Sequence, residues 1–184
     1  MSEFPADFEE IREIEMLAYR AWPPKEIVSL GGWLLRADLG VTRRANSVLP
    51  IGEPSLGLDE AIEHVIGFYH KRALVPRFQM TEASSPTGLD EVLDDAGFRY
   101  EMKTYVECAP LRGLTTEEAE HEVELFDHPT REWLLGFAHA GEMDRESAQV
   151  RQAILKRIRP DKRFALTRLD GKIAGVCVGV LDGR

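Results

Sequence analysis

Residues 42–74 hold the first group whose types and spacing could do chemistry. The run SVLPIGEPSLGLDEAIEHVIGFY sets Pro50, Gly52, Pro54 and Gly57 between an apolar strand and a long amphipathic helix. Glycines opening onto a helix N-terminus can hold a pyrophosphate, because the first backbone N–H groups of a helix lack intrahelical partners and point at the ligand. The local charge works against that use. Glu53 lies in the loop, Asp59 and Glu60 fall in the first helical turn at the positive end of the dipole, and no Lys or Arg lies between Pro50 and His70. The residues by themselves favour a structural loop. The second group, Arg43, Arg44 and Asn46, could bind a carboxylate or a phosphate. Among 32 acidic residues, the two arginines are expected to be ordinary salt-bridge partners. The histidines (64, 70, 121, 128, 139) show no HxxxH or HExxH spacing, so no metal site is expected. Cys108 and Cys177 lie in apolar runs without CxxC spacing and read as buried structural thiols.

The elements that must position these groups follow from periodicity. Leu58, Ala61, Ile62, Val65 and Tyr69 repeat at helical spacing and share one face. Before them the pattern predicts a helix over residues 6–20, stopped by Trp22-Pro23-Pro24, then strands over 26–30 and 33–36 joined at Gly31-Gly32, and a strand over 45–49. After them it predicts a strand over 77–83, a helix over 88–96 closed by Gly97, and a half-buried strand over 100–108 alternating at period two. Pro110, Gly113 and a run of glutamates mark a linker at about 110–120. A strand over 122–126 follows, then a helix with Pro129 at its first position, a second helix over 145–158, and a hairpin of strands 163–169 and 172–181 around Asp170-Gly171. The chain therefore divides into residues 1–110 and the start of a second unit at 120–184. The strand over 172–181 is expected to have an open edge, so the chain is expected to dimerise or to cover that edge with its own first half.

Composition narrows the function class. The chain has 184 residues, enough for a sizeable core, with 43 % hydrophobic and 30 % charged residues. Its net charge of −9 disfavours a nucleic-acid partner or an anionic membrane surface. An acidic N-terminus without an apolar run, and no segment of 18 apolar residues, make the cytoplasm the expected compartment.

In element order and in these short phrases the chain resembles the GNAT superfamily of N-acetyltransferases, specifically tandem members built from two GNAT-like halves. The first half offers strand–loop–helix SVLPIGEPSLGLDEAIEHVIGFY, strand RFQMTEAS, a helix ending DDAGF and strand YEMKTYVEC; the second runs from HEVELFDHPT to the hairpin at GVCVGVLDGR. The resemblance implies an α/β (α+β) fold with a mixed, mostly antiparallel sheet flanked by helices, one half complete and a second, truncated one begun. It implies transfer of an acetyl group from acetyl-CoA to the amine of a small molecule or peptide, by direct attack on the thioester and without a protein nucleophile. The family holds the coenzyme pyrophosphate on a Gly-rich loop between strand and helix, which maps here onto Val48, Leu49, Gly52, Gly57 and Leu58, in a degenerate form without the family's basic residue. The equivalent motif of the second half would fall beyond Arg184. The family's first interhelical loop borders the acceptor cleft, which maps onto Glu142, Met143 and Asp144. No catalytic residue is named by the resemblance. The degenerate loop leaves a second expectation open, a non-catalytic GNAT-like module that binds a ligand or partner.

Overall fold

The computed structural model describes residues 7–110 and 122–182. Helix α1 (Phe8–Ala21) starts where the Asp7 carboxylate accepts the Glu9 N–H, and it ends at Trp22 ahead of two prolines. Strands β1 (Glu26–Leu30) and β2 (Trp33–Ala37) form an antiparallel hairpin with Leu30 opposite Trp33, and β3 (Val48–Pro50) continues the sheet in the order β1-β2-β3. The strand expected over 45–49 begins later. Arg44–Asn46 is a turn of 3₁₀ helix, because the Asn46 side chain bonds to the backbone of the preceding loop.

Helix α2 (Leu58–His70) lays its expected face on this sheet: Trp33, Leu35, Val48, Ala61, Val65 and Tyr69 are all 0 % exposed. Of the strand expected over 77–83, a single parallel bridge survives, Val48 beside Phe78. Helix α3 (Leu89–Asp95) closes at Gly97 with φ +86°. The expected strand over 100–108 is extended chain without a ladder, and Tyr100, Met102, Tyr105 and Val106 are exposed. Period-two alternation marks a chain able to pair, but pairing needs a free edge, and the outer edge of β3 is already taken by residues 77–85. The segment is held through side chains instead, with Glu101 3.1 Å from both Arg43 and Arg77.

The second sheet is built the same way from β4 (Val123–Phe126), β5 (Asp161–Leu169) and β6 (Lys172–Leu181), antiparallel in the order β4-β5-β6. The β5–β6 turn has φ +51° at Asp170 and +75° at Gly171, the pair of positive values that a two-residue type I′ turn requires. Helices α4 (Arg131–Ala140) and α5 (Arg145–Arg157) complete this half. Pro129 stands two residues before the first helical position rather than at it, because the Thr130 hydroxyl takes the capping role and accepts the Trp133 N–H at 3.1 Å. Trp133 is the centre of the core: it is 1 % exposed, lies 5.1 Å from the rings of Phe137 and Phe164, and donates its indole N–H to the carbonyls of Ala165 and Cys177. Helix α4 can approach β6 because residue 136 is glycine; a Cβ there would meet Ile173 Cγ2 at 2.9 Å.

Two expectations about cysteine fail together. Cys108 and Cys177 are both exposed. Val176, Val178 and Val180 face the helices, so period two turns Cys177 outward, and Cys108 lies on the unpaired extended segment. The linker expected at about 110–120 lies largely outside the described residues. The architecture is mixed α+β, with two three-stranded antiparallel sheets and five α-helices among the described residues. The halves meet where Val150 and Ile154 of α5 pack on Ala45, Val41 and Trp22, and where Arg157 pairs with Asp38 and Arg20 with Asp182. No helix among the described residues is long and apolar enough to cross a membrane.

Candidate functional site: the β3–α2 loop and the groove beside it

The loop over residues 51–57 is shaped by the β1–β2 turn beneath it. Gly31 has φ +61°, and a Cβ on it would lie 2.4 Å from the Ser55 backbone nitrogen; one on Gly32 would lie 2.4 Å from the Gly52 backbone. The two glycines are therefore required by close backbone approach, not by chain flexibility. Gly32 N–H donates to the Glu53 carbonyl at 2.6 Å, and the Ser85 hydroxyl donates to the Glu53 carboxylate. Glu53 is thus engaged within the chain at both its backbone and its side chain.

Val48 and Leu49 are 0 % exposed inside β3 and present no side chain to a ligand. The outer edge of β3 is engaged as well: Val48 N–H donates to the Arg77 carbonyl, Gln79 N–H to the Val48 carbonyl, and Ser85 N–H to the Pro50 carbonyl, at 2.8–2.9 Å. Gly57 is the N-cap of α2 and makes no side-chain cap, and a Cβ there would meet nothing within 4 Å. The first intrahelical bond runs from Ala61 N–H to the Gly57 carbonyl at 2.8 Å, so the N–H groups of Leu58, Asp59 and Glu60 have no partner of that kind. Leu58 itself packs against the first core.

A groove of about 2060 Å³ runs between α1, residues 75–90 and residues 96–106. Its floor carries a relay of buried polar groups. Arg36, 1 % exposed, donates to the Ser47 carbonyl at 3.0 Å, to the Ser47 hydroxyl at 2.8 Å and to the Gln79 side-chain oxygen at 2.8 Å. The Gln79 amide in turn donates to the Glu15 carboxylate at 2.5 Å, and Glu15 is 4 % exposed. Burial pushes the Arg36 guanidinium down to about 10, with nearby Arg44 adding to the shift and Tyr69 and Glu15 opposing it. It stays charged at neutral pH, and the neutral Gln79 amide joins it to Glu15. Among the described residues no buried side-chain N or O atom lacks a partner. Sequence reasoning missed this relay. The one signal was Glu15 itself, a carboxylate on the stripe of Ile11, Ala18 and Trp22 at helical spacing.

The three residues mapped to the acceptor cleft form the α4–α5 turn. Glu142 has φ +47°, Met143 is half-buried, and a Cβ on Gly141 would meet Met143 Cε at 2.4 Å. Asp144 is the N-cap of α5 and accepts the Ser147 N–H at 2.7 Å. Among the described residues no hydrogen bond or ion pair joins this turn to the β3–α2 loop.

The bonds from the Ser147 backbone and side chain hold the Asp144 carboxyl below its usual range. A depressed folded pKa contributes stability that is present above the unfolded value and is lost as pH falls through the folded value. Asp144→Ala is therefore expected to lower Tm at neutral pH, by a margin that closes as the pH drops below the carboxylate range. Asp144→Asn, which keeps the cap, should retain most of the neutral-pH Tm. Thermal melts of the three proteins from pH 7 to pH 3 check this, and a margin independent of pH would refute it.

Residues 9–168 match a family model described as "Probable histone acetyltransferase Rv0428c C-terminal". The chain is 32 % identical over 181 residues to the "Uncharacterized N-acetyltransferase YobR" of Bacillus subtilis, across 95 % of this chain and 71 % of that protein. It is 31 % identical over 134 residues to the "Probable histone acetyltransferase Rv0428c" of Mycobacterium tuberculosis, across 73 % of this chain and 40 % of that protein. No solved structure matches the chain. With the match running from α1 through β5, the chain belongs to the Rv0428c C-terminal family of acetyltransferases.

Proposed function

We propose that this chain forms part or all of a GNAT-type N-acetyltransferase that moves acetyl from acetyl-CoA to the amine of a small molecule or peptide. The observation that carries the reading is the family match over residues 9–168, joined by two relatives that bear acetyltransferase names. In such a reaction the neutral amine attacks the thioester carbonyl, the tetrahedral oxyanion collapses to expel the thiolate, and the amine proton leaves through a base or water. The protein must therefore hold the coenzyme, orient the amine and leave donors for the oxyanion. For the coenzyme we assign the β3–α2 segment: Val48 and Leu49 as the buried strand that supports the loop, the close turn at Gly52, and the uncapped helix start at Gly57 and Leu58. The amine is assigned to the α4–α5 turn at Glu142, Met143 and Asp144, whose carboxylates suit a cationic acceptor. The cytoplasm is the expected compartment, and the β6 edge is expected either to pair in a homodimer or to be covered by the chain's own first half.

A second reading has its own observation. Glu53 is engaged by Gly32 and Ser85, so the loop is already satisfied from within, which favours a non-catalytic module that binds a ligand or partner.

Calorimetric titration of acetyl-CoA into the chain, repeated with Gly57→Asp, separates the two. An aspartate at this N-cap, with φ −57°, ψ 150° and open space around it, suits the helix while placing a carboxylate where the pyrophosphate would sit. The expected result is binding by the parent chain and a loss of about tenfold or more in the variant, with Tm unchanged or raised. Equal binding by both proteins removes the coenzyme from this loop, and no binding by either favours the module.

A further inference from the structure

A second cleft, of about 560 Å³, opens where the two sheets' layers meet and shares Arg43, Arg44, Arg77, Met102 and Thr104 with the groove. Four of the residues lining it are arginines: Arg43, Arg44, Arg77 and Arg151. In a chain of net charge −9 such a concentration of positive charge is against the trend of the surface. Glu101 lies 3.1 Å from both Arg43 and Arg77 and offsets one charge of the four. Arg44 and Arg151 have no carboxylate partner among the described residues, and Arg151 reaches only the Ser147 carbonyl of its own helix, at 3.4 Å. The field of Arg44 is felt as far as the buried Arg36, whose pKa it helps to lower.

The wall that carries Arg43 and Arg44 is built rigid. Asn46, 1 % exposed, accepts the N–H groups of Asp38 and Gly40 at 2.8 and 3.1 Å and donates to the Thr42 carbonyl at 2.7 Å. The Trp22 indole donates to the Thr42 hydroxyl at 3.3 Å. Below, Ala45 is packed at 0 % exposure against Val150 and Ile154 of α5, the helix that also supplies Arg151. Such supports fix the backbone from which these arginines project, so binding costs their side-chain freedom but no backbone ordering. The cleft lies at the start of β3, at the opposite end of that strand from the 51–57 loop, so it is not the loop assigned to the coenzyme.

We propose that this cleft is an anion site for a small molecule bearing a phosphoryl or pyrophosphoryl group, gripped by Arg44 and Arg151 across the junction of the halves. Planar guanidinium forks match phosphate oxygens in pairs, and a cleft of 560 Å³ has room for a ligand of metabolite size. Because arginines of both halves converge on it, an anion bound there also bridges the halves.

The test is calorimetric titration of inorganic pyrophosphate into the full chain at fixed ionic strength and without acetyl-CoA, so its outcome does not depend on the acetyltransferase reading. Pyrophosphate is expected to bind, Arg44→Gln and Arg151→Gln each to weaken binding by about tenfold or more, and Arg131→Gln, an exposed arginine elsewhere, to leave it unchanged. Absence of pyrophosphate binding, or parent-like affinity in both cleft variants, overturns the proposal. Citrate provides the carboxylate arm: binding as tight as pyrophosphate overturns the phosphoryl assignment, and binding at least about tenfold weaker supports it. A Glu117→Gln/Glu118→Gln/Glu120→Gln variant addresses the chain's own acidic segment. Affinity unchanged supports the proposal, whereas a gain of tenfold or more assigns the cleft to that segment and overturns it. Tm of every variant, with and without pyrophosphate, separates lost binding from lost fold.

Discussion

Arg36→Met is expected to destabilise the protein by about 3–5 kcal/mol, the cost of leaving the buried acceptors of Ser47 and Gln79 without their charged donor and Glu15 without a nearby positive charge. The substitution fills much of the same space and removes no apolar contact of consequence, so the loss comes from what it leaves behind. Glu15, 4 % exposed, keeps its hydrogen bond from Gln79 but loses the charge that reaches it through Gln79. The Ser47 carbonyl and hydroxyl lose their donor as well. Replacing both ends, as Arg36→Met with Glu15→Met, should recover part of that loss, because no buried charge then remains uncompensated. Urea denaturation of the parent, the two single variants and the double variant measures the coupling. Additive losses would mean that the relay works as separate hydrogen bonds and that the charge of Arg36 does not support Glu15.

How this relay and the rest of the molecule were encoded differs from element to element. Helix α2 was legible because its apolar stripe is the face it buries: Ala61, Ile62, Val65 and Tyr69 pack where the period put them. The β5–β6 hairpin was legible because Asp-Gly at a two-residue turn demands positive φ at both positions. The strand over 100–108 was misread, since alternation states which faces a strand would have and says nothing of an available edge. The cysteine reading failed for the related reason that an apolar run in a sheet has two faces, and Cys177 lies on the open one. Arg36 was invisible because it looks like an ordinary surface charge until α1, β2 and residue 79 come together, and Glu15 showed only as a carboxylate set on an apolar stripe. The loop residues Gly31 and Gly32 read as a hairpin turn, and their second task, giving room to Gly52 and Ser55, depends on a contact between segments some 20 positions apart. Periodicity reports local faces; it does not report long-range polar partners.

The junction of the halves gives the second large effect. Arg157→Ala is expected to cost about 2–3 kcal/mol, below the range for a fully buried pair because the arginine is partly solvated. Its partner is not: the Asp38 side chain is 2 % exposed against 30 % for Arg157. Asp38 also accepts the Leu39 N–H at 2.9 Å, and its own N–H donates to Asn46, so an unbalanced carboxylate here strains the loop that leads to Arg43 and Arg44. The Asp38→Asn/Arg157→Ala double variant keeps an acceptor for Leu39 without a charge and should regain about 1–2 kcal/mol over Arg157→Ala alone. Loosening the pair should also show in cooperativity. The parent is expected to unfold in one transition, and Arg157→Ala to separate the melting of the two sheets, because only the Val150 and Ile154 contacts with Ala45 and Trp22 and the Arg20–Asp182 pair then hold the junction. Calorimetric and fluorescence melts of the three proteins test this: a single transition with Arg157→Ala within about 0.5 kcal/mol of the parent would make the pair a surface contact of ordinary strength, and would leave the apolar cluster and the Arg20–Asp182 pair as what joins the two sheets.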